Sequence, residues 1–156
     1  MKHSFIAVIA ISIALMISSC ATAPLGKAGL QGEATLAAVR DLTSAYERRD
    51  LEAFMDKVSS AYPDREGLEK SVKKIFSTYQ TIRFKLHFTK ILVMVQEKGG
   101  IKATFTWEGE WRTTGGKIVK DGARVTLVFD PGTYKLLGID GKNMFIPSDN
   151  PTPARQ

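Results

Sequence analysis

The sequence predicts an α+β fold, with three N-terminal helices packed on a curved antiparallel sheet of about four strands. Three observations carry this. Apolar residues recur at helical spacing from about residue 33 to residue 79. At residue 81 the apolar period changes to two and stays there. Glycine and proline turns then divide the second half into strand-sized pieces. Helices gathered ahead of strands argue for α+β and against an alternating βαβ chain.

The first helix is placed near 33 to 48, where Leu36, Val39, Leu42, Thr43 and Tyr46 share one face. Asp50 is suited to cap a short second helix, in which Leu51, Phe54, Met55 and Val58 fall at i, i+3, i+4 and i+7. Pro63 and Asp64 interrupt the chain and restart it. A third helix then aligns Leu68, Val72, Ile75, Phe76 and Tyr79, despite Gly67 in its first turn.

Ile82, Phe84, Leu86 and Phe88 alternate with Arg83, Lys85, His87 and Thr89, and the apolar set then slips to Ile91, Val93 and Val95. That one-residue slip marks either a β-bulge in one long strand or a break between two shorter ones. Lys98, Gly99 and Gly100 turn the chain into Ile101, Ala103, Phe105, Trp107 and Trp111, with Lys102, Thr104, Thr106, Glu108, Glu110 and Arg112 opposite. Gly115 and Gly116 permit the next reversal, into Ala123, Val125, Leu127 and Phe129. Asp130, Pro131, Gly132 and Thr133 form a strong turn signal. Pairing Phe129 with Tyr134 across it sets Leu127 opposite Leu136.

Ahead of the helices, Met1, Lys2 and His3 precede an aliphatic run from Phe5 to Ile17 that only Ser12 interrupts. As a helix, such a run rises about 20 Å, too short for a hydrocarbon core of about 30 Å and right for a signal peptide. It ends in Ile17, Ser18, Ser19 and Cys20, the only cysteine of the chain. This segment resembles a bacterial lipobox. The resemblance implies cleavage before Cys20, acylation of that residue and a lipid anchor in the membrane, since two acyl chains hold where one is marginal. Alanine after the cysteine resembles Gram-negative lipoproteins of the outer membrane that face the periplasm. The competing reading uses Ala21, Thr22 and Ala23 as an ordinary signal-peptidase site that releases a soluble protein.

The domain plan is therefore a signal peptide over 1–19, a lipidated cysteine and flexible tether over 20–32, one domain over 33–146 and a disordered tail over 147–156. The tether holds Pro24, Gly26, Gly29 and Gly32; the tail holds Pro147, Pro151 and Pro153. The full chain has 156 residues and a formal charge of +6. Loss of residues 1–19 removes Lys2 and leaves 21 basic against 16 acidic residues, a charge of +5. Export makes nucleic acid an unsuitable partner for that charge, and a solvated face accounts for it.

Helices leading into a bent strand and a meander resemble the nuclear transport factor 2-like (NTF2-like) superfamily, the cone-shaped fold shared by SnoaL-like proteins. The segments that carry the resemblance are 45–55 (AYERRDLEAFM) and 134–141 (YKLLGIDG). The resemblance spans 33 to about 146. It implies a pocket closed at one end by the helices and lined by Tyr46, Phe54, Tyr79, Phe84, Leu86, Phe105, Trp107, Val125, Leu127 and Phe129. Superfamily enzymes place Asp, His or Tyr at pocket-facing strand positions to move protons. The strand positions named here are aliphatic or aromatic, so no catalytic residue is assigned. His87 shares its parity with Arg83 and Lys85 and belongs on the surface. With one histidine outside the signal peptide and one acylated cysteine, no metal site and no cofactor are expected. Glu108 and Glu110 share a face that neighbouring cations such as Arg124, Lys102 or Arg112 answer.

Leu92, Met94, Val128, Leu137 and Ile139 fall opposite the apolar set and form a greasy second face. Either Met144, Phe145 and Ile146 fold back over it, or a second copy covers it in a homodimer. The expected function is a non-enzymatic, lipid-anchored envelope protein that binds an apolar ligand or a partner protein. The alternatives are a small-molecule isomerase, dehydratase or hydrolase using Tyr46, Tyr79 or a carboxylate out of register, and a pure assembly scaffold.

Overall fold

The computed structural model describes residues 27–88, 94–96 and 100–148. The lipobox, the signal segment, Leu92 and the end of the tail lie outside them. Three helices come first: α1 (Lys27–Glu47), α2 (Leu51–Asp56) and α3 (Arg65–Thr78). Helix α1 begins six residues earlier than its apolar periodicity, inside the segment expected to be a tether. Two caps act as the sequence predicts. Asp50 accepts from Ala53 N at 3.0 Å, and Asp64 accepts from Gly67 N at 3.0 Å. Each satisfies an amide that the first helical turn leaves without a partner. The glycine at 67 has a local reason, because a Cβ there would collide with the Asp64 carboxylate.

The strands are β1 (Thr81–His87), β2 (Met94–Gln96), β3 (Gly100–Arg112), β4 (Ile118–Phe129) and β5 (Leu136–Gly141). They form one antiparallel sheet in the order β1-β3-β4-β5, with β2 on the same edge of β3 as β1. β1 pairs with residues 106–112 of β3, and β2 pairs with residues 100–102. Residues 89–93, where the sequence places the slip in alternation, lie outside the described residues. The Gly115–Gly116 reversal forms as expected: Gly116 has φ 82°, and Thr113 N donates to Lys117 O at 2.9 Å. Positive φ is the reason glycine is needed there.

The register between β4 and β5 differs from the sequence expectation. Phe129 pairs with Leu136, and Leu127 pairs with Ile139, with an irregularity between Val128 and Phe129. Two features cause this. Tyr134 takes a left-handed φ of 54°, which lengthens the loop so that Asp130 N donates to Lys135 O. Leu136 is also bonded on its other side: its N donates to Lys57 O at 2.8 Å and its O accepts from Ser59 N at 2.9 Å. The bulge shifts the parity of β5 by one residue.

The core lies between the helices and one face of the sheet. Val39, Leu42, Tyr46, Phe54, Val72 and Ile75 from the helices meet Ile82, Phe105, Trp107, Trp111, Val125, Leu127 and Phe129 from the strands. Gly109 interrupts the inward series of β3 because Trp111 folds its ring back over it. A Cβ at Gly109 would stand 3.0 Å from Phe84 Cε1 and closer still to the six-membered ring of Trp111. Replacing Gly109 by alanine is expected to cost about 1–3 kcal/mol, the usual penalty of overpacking a rigid site. Urea unfolding of the variant measures it, and an unchanged midpoint would show that the rings can yield.

Candidate functional site

The interior face of the sheet is the place to look for chemistry. Tyr46 sits at its centre on the last turn of α1, fully buried. Its ring lies 5.6 Å from Phe54, 5.1 Å from Phe76, 5.6 Å from Phe84 and 5.1 Å from Phe145. Its hydroxyl donates to the Phe145 carbonyl at 2.6 Å and accepts from Trp111 Nε1 at 3.3 Å. Burial raises its pKa well above the ordinary phenol value, against a smaller lowering by the Trp111 hydrogen bond and with a further rise from Tyr79. This hydroxyl stays protonated and is used at both ends.

Phe54, Trp107, Leu127 and Phe129 are buried with it, as are Phe105 and Val125, whereas Tyr79, Phe84 and Leu86 are half-buried and packed on the same cluster. The ten residues expected to line a pocket therefore share one interior. Met144 and Phe145 join them and are fully buried. Phe145 packs edge-on to Phe54 at 5.0 Å and to Phe84 at 6.3 Å. Of the two covers considered for the other face of the sheet, residues 144–146 do not supply one: two of the three turn inward, and only Ile146 stays exposed. The apolar side chains are better buried among aromatic rings than laid over a face carrying Lys102 and Arg124.

One inward carboxylate was missed. Asp121 pairs with Gly109, between Val119 and Ala123 on the inner parity of β4, and its side chain is fully buried. The interior is therefore not apolar throughout. The alternation of β4 contained this signal, since 121 shares its parity with 123, 125, 127 and 129. Asp121 accepts from Lys142 Nζ, from Ser148 N at 2.9 Å and from Gly122 N at 2.7 Å. Burial pushes its pKa up, but the Lys142 side chain and the two backbone donors outweigh that and hold it below the usual carboxylate value. A carboxylate so stabilised in its charged form is a poor proton acceptor near neutral pH. One of these donors, Ser148, belongs to the segment read from sequence as tail.

The other face of the sheet is solvated and charged. His87 Nε2 lies 3.4 Å from Glu108, and Glu110 lies 3.3 Å from Arg112 and 3.7 Å from Lys120. His87 is thus a surface residue, as its parity predicts. Glu108 is answered by His87 and not by the cations named from sequence. Val128 and Leu137 are half-buried on or beside this face, next to Gly100. Ile139 is not with them: paired with Leu127, it packs on the core, because of the bulge. Met94 is in β2, and Leu92 lies outside the described residues.

Two open depressions of about 510 and 590 Å³ adjoin at the α2–α3 corner and share Met55, Asp56 and Arg65. Arg65 is occupied there, donating to Met55 O at 3.2 Å, and Lys135 lies 3.2 Å from Asp56. Among the described residues, no group of His, Cys, Asp and Glu is arranged to hold a metal ion. No described helix is long and apolar enough to cross a membrane.

No protein-family profile matches this sequence, and no curated protein does. Solved structures do match in shape. An NTF2-like superfamily protein from Salmonella enterica serovar Typhimurium superposes with a TM-score of 0.58 at 12% identity, covering 84% of this chain and 100% of that one. The BvnE pinacolase from Penicillium brevicompactum gives 0.54 at 14% identity over 76% and 86% of the two chains. PrhC from Penicillium brasilianum gives 0.57 at 16% identity over 70% and 79%. The chain has the NTF2-like fold.

Proposed function

We propose that this chain is a lipid-anchored protein of the bacterial cell envelope whose NTF2-like domain binds an apolar ligand or a partner protein and catalyses no reaction. One observation carries the non-catalytic part. The two inward groups best placed for proton transfer, Tyr46 and Asp121, are both satisfied by the chain's own atoms. Proton-transfer catalysis needs a group poised near the working pH and within reach of a substrate. Here the phenol pKa is driven up and the carboxylate pKa down, each away from neutrality.

The anchor rests on the Ile17–Cys20 segment and the charged and aliphatic stretches before it. Lipidation at Cys20 holds the domain at a membrane, with the outer membrane facing the periplasm as the site that Ala21 favours. Cells grown with an alkynyl palmitate analogue test this. The wild-type chain is expected to take up label and sediment with membranes. The Cys20→Ala chain is expected to take up no label, and a wild-type chain without label sinks the anchor. Native mass spectrometry of the domain recovered from envelopes tests the binding half; recovery always empty and always alone argues against it.

A further inference from the structure

We propose that the outer face of the sheet docks on an anionic phospholipid surface, with Ile118 entering the bilayer at the margin of the contact. The inference goes beyond the binding reading above and does not depend on a lipid at Cys20. The charge of the domain is unevenly placed. The described residues from 31 to 148 hold 17 Lys and Arg against 14 Asp and Glu. Six of those cations share the outer parity of the sheet: Arg83 and Lys85 of β1, Lys102 and Arg112 of β3, Lys120 and Arg124 of β4. Only Glu108, Glu110 and Asp140 accompany them there, so the rest is balanced at eleven of each sign. The net positive charge belongs to this one face.

Strand register sets the two glutamates in the middle of the face, with Glu110 between Arg83 and Lys120, and Glu108 between Lys85 and Gly122. Glu110 answers Arg112 and Lys120, and Glu108 answers His87. Arg83, Lys85, Lys102 and Arg124 form no ion pair among the described residues. Phosphodiester headgroups supply the missing sign. A second observation selects a bilayer from among the possible anions. Ile118 is 43% exposed on the same face, opposite Arg112, two residues from Lys120 and beside the Gly115–Gly116 reversal. A dissolved anion offers nothing to an aliphatic side chain held there. A bilayer offers hydrocarbon just beneath its phosphates, and an apolar residue flanked by cations at a hairpin end can reach it.

The test uses the full chain carrying Cys20→Ala. Its readout is the ratio of partitioning onto phosphatidylcholine vesicles containing phosphatidylglycerol to partitioning onto phosphatidylcholine alone. The aliphatic run from Phe5 to Ile17 contributes to both and cancels. Each cation near an anionic surface strengthens partitioning about fivefold, so four unpaired ones give an expected ratio of about 100 or more. Lys85→Gln with Arg124→Gln should lower that ratio about 25-fold. Lys73→Gln with Lys74→Gln removes the same charge from the exposed side of α3, across the core from this face. Lying beyond a Debye length of about 10 Å, that pair should change the ratio less than about twofold. Ile118→Ser should lower it about tenfold. A parent ratio below about ten, or equal losses in the two charge variants, overturns the proposal. Displacement by soluble polyphosphate together with no effect of Ile118→Ser gives the face to a dissolved polyanion and overturns the membrane contact.

Discussion

Replacing Trp111 by alanine is expected to destabilise the domain by about 3–5 kcal/mol, the largest loss foreseen for any single change here. The side chain is fully buried, stands edge-on to Phe84 at 5.5 Å and to Trp107 at 6.1 Å, and donates to the Tyr46 hydroxyl. Its removal opens a cavity beside Gly109, where no Cβ exists to help fill it. It also takes away one of the two bonds of a buried phenol. A domain with total stability of about 5–15 kcal/mol has little reserve against such a loss. Urea unfolding followed by far-UV circular dichroism measures it. A change below about 1 kcal/mol would show that the neighbouring rings collapse into the space it leaves.

The second large effect concerns acid. Asp121 has a depressed pKa in the folded state, so its contribution is fully present above the ordinary carboxylate value of about 3.9 and is lost as pH falls through the lower folded value. Wild-type stability should therefore drop more steeply below about pH 4 than that of the Asp121→Asn chain. At neutral pH the variant should be weaker by about 1.5–3 kcal/mol, the worth of hydrogen bonds to a charged acceptor, and the gap should close on acidification. Urea midpoints at pH 7 and pH 3 decide it. A gap that persists at pH 3 would show that packing, and not charge, holds the carboxylate in place.

Much of this arrangement is legible in the chain, and its failures have specific causes. The helices announce themselves through Asp50 and Asp64 as caps and through apolar residues spaced by three and four. The long pairing of β3 with β4 follows from strict alternation around a Gly–Gly reversal. The β4–β5 register does not, because a left-handed Tyr134 and the tie between Leu136 and the α2–α3 loop are tertiary facts with no local signature. That one shift moved Ile139 from the outer face to the core. Met144 and Phe145 lie in a short proline-flanked segment with no period, so nothing in their neighbourhood says which face they seek. Asp121 was the reverse case: its inward parity was readable, but its cation and one of its two amide donors come from 21 and 27 residues away. The interior thus receives a segment whose destination only the fold reveals.

The rims of the sheet carry their own message. Beside β1, Phe84 N is taken by the Glu47 side chain at 2.6 Å. Beside β5, Leu136 exchanges both of its backbone bonds with Lys57 and Ser59. Unclaimed strand margins are where proteins zip onto foreign chains and nucleate fibrils. At these two places the molecule has already spent its free amides and carbonyls on itself. At those two places the borders offer no free group to a foreign strand.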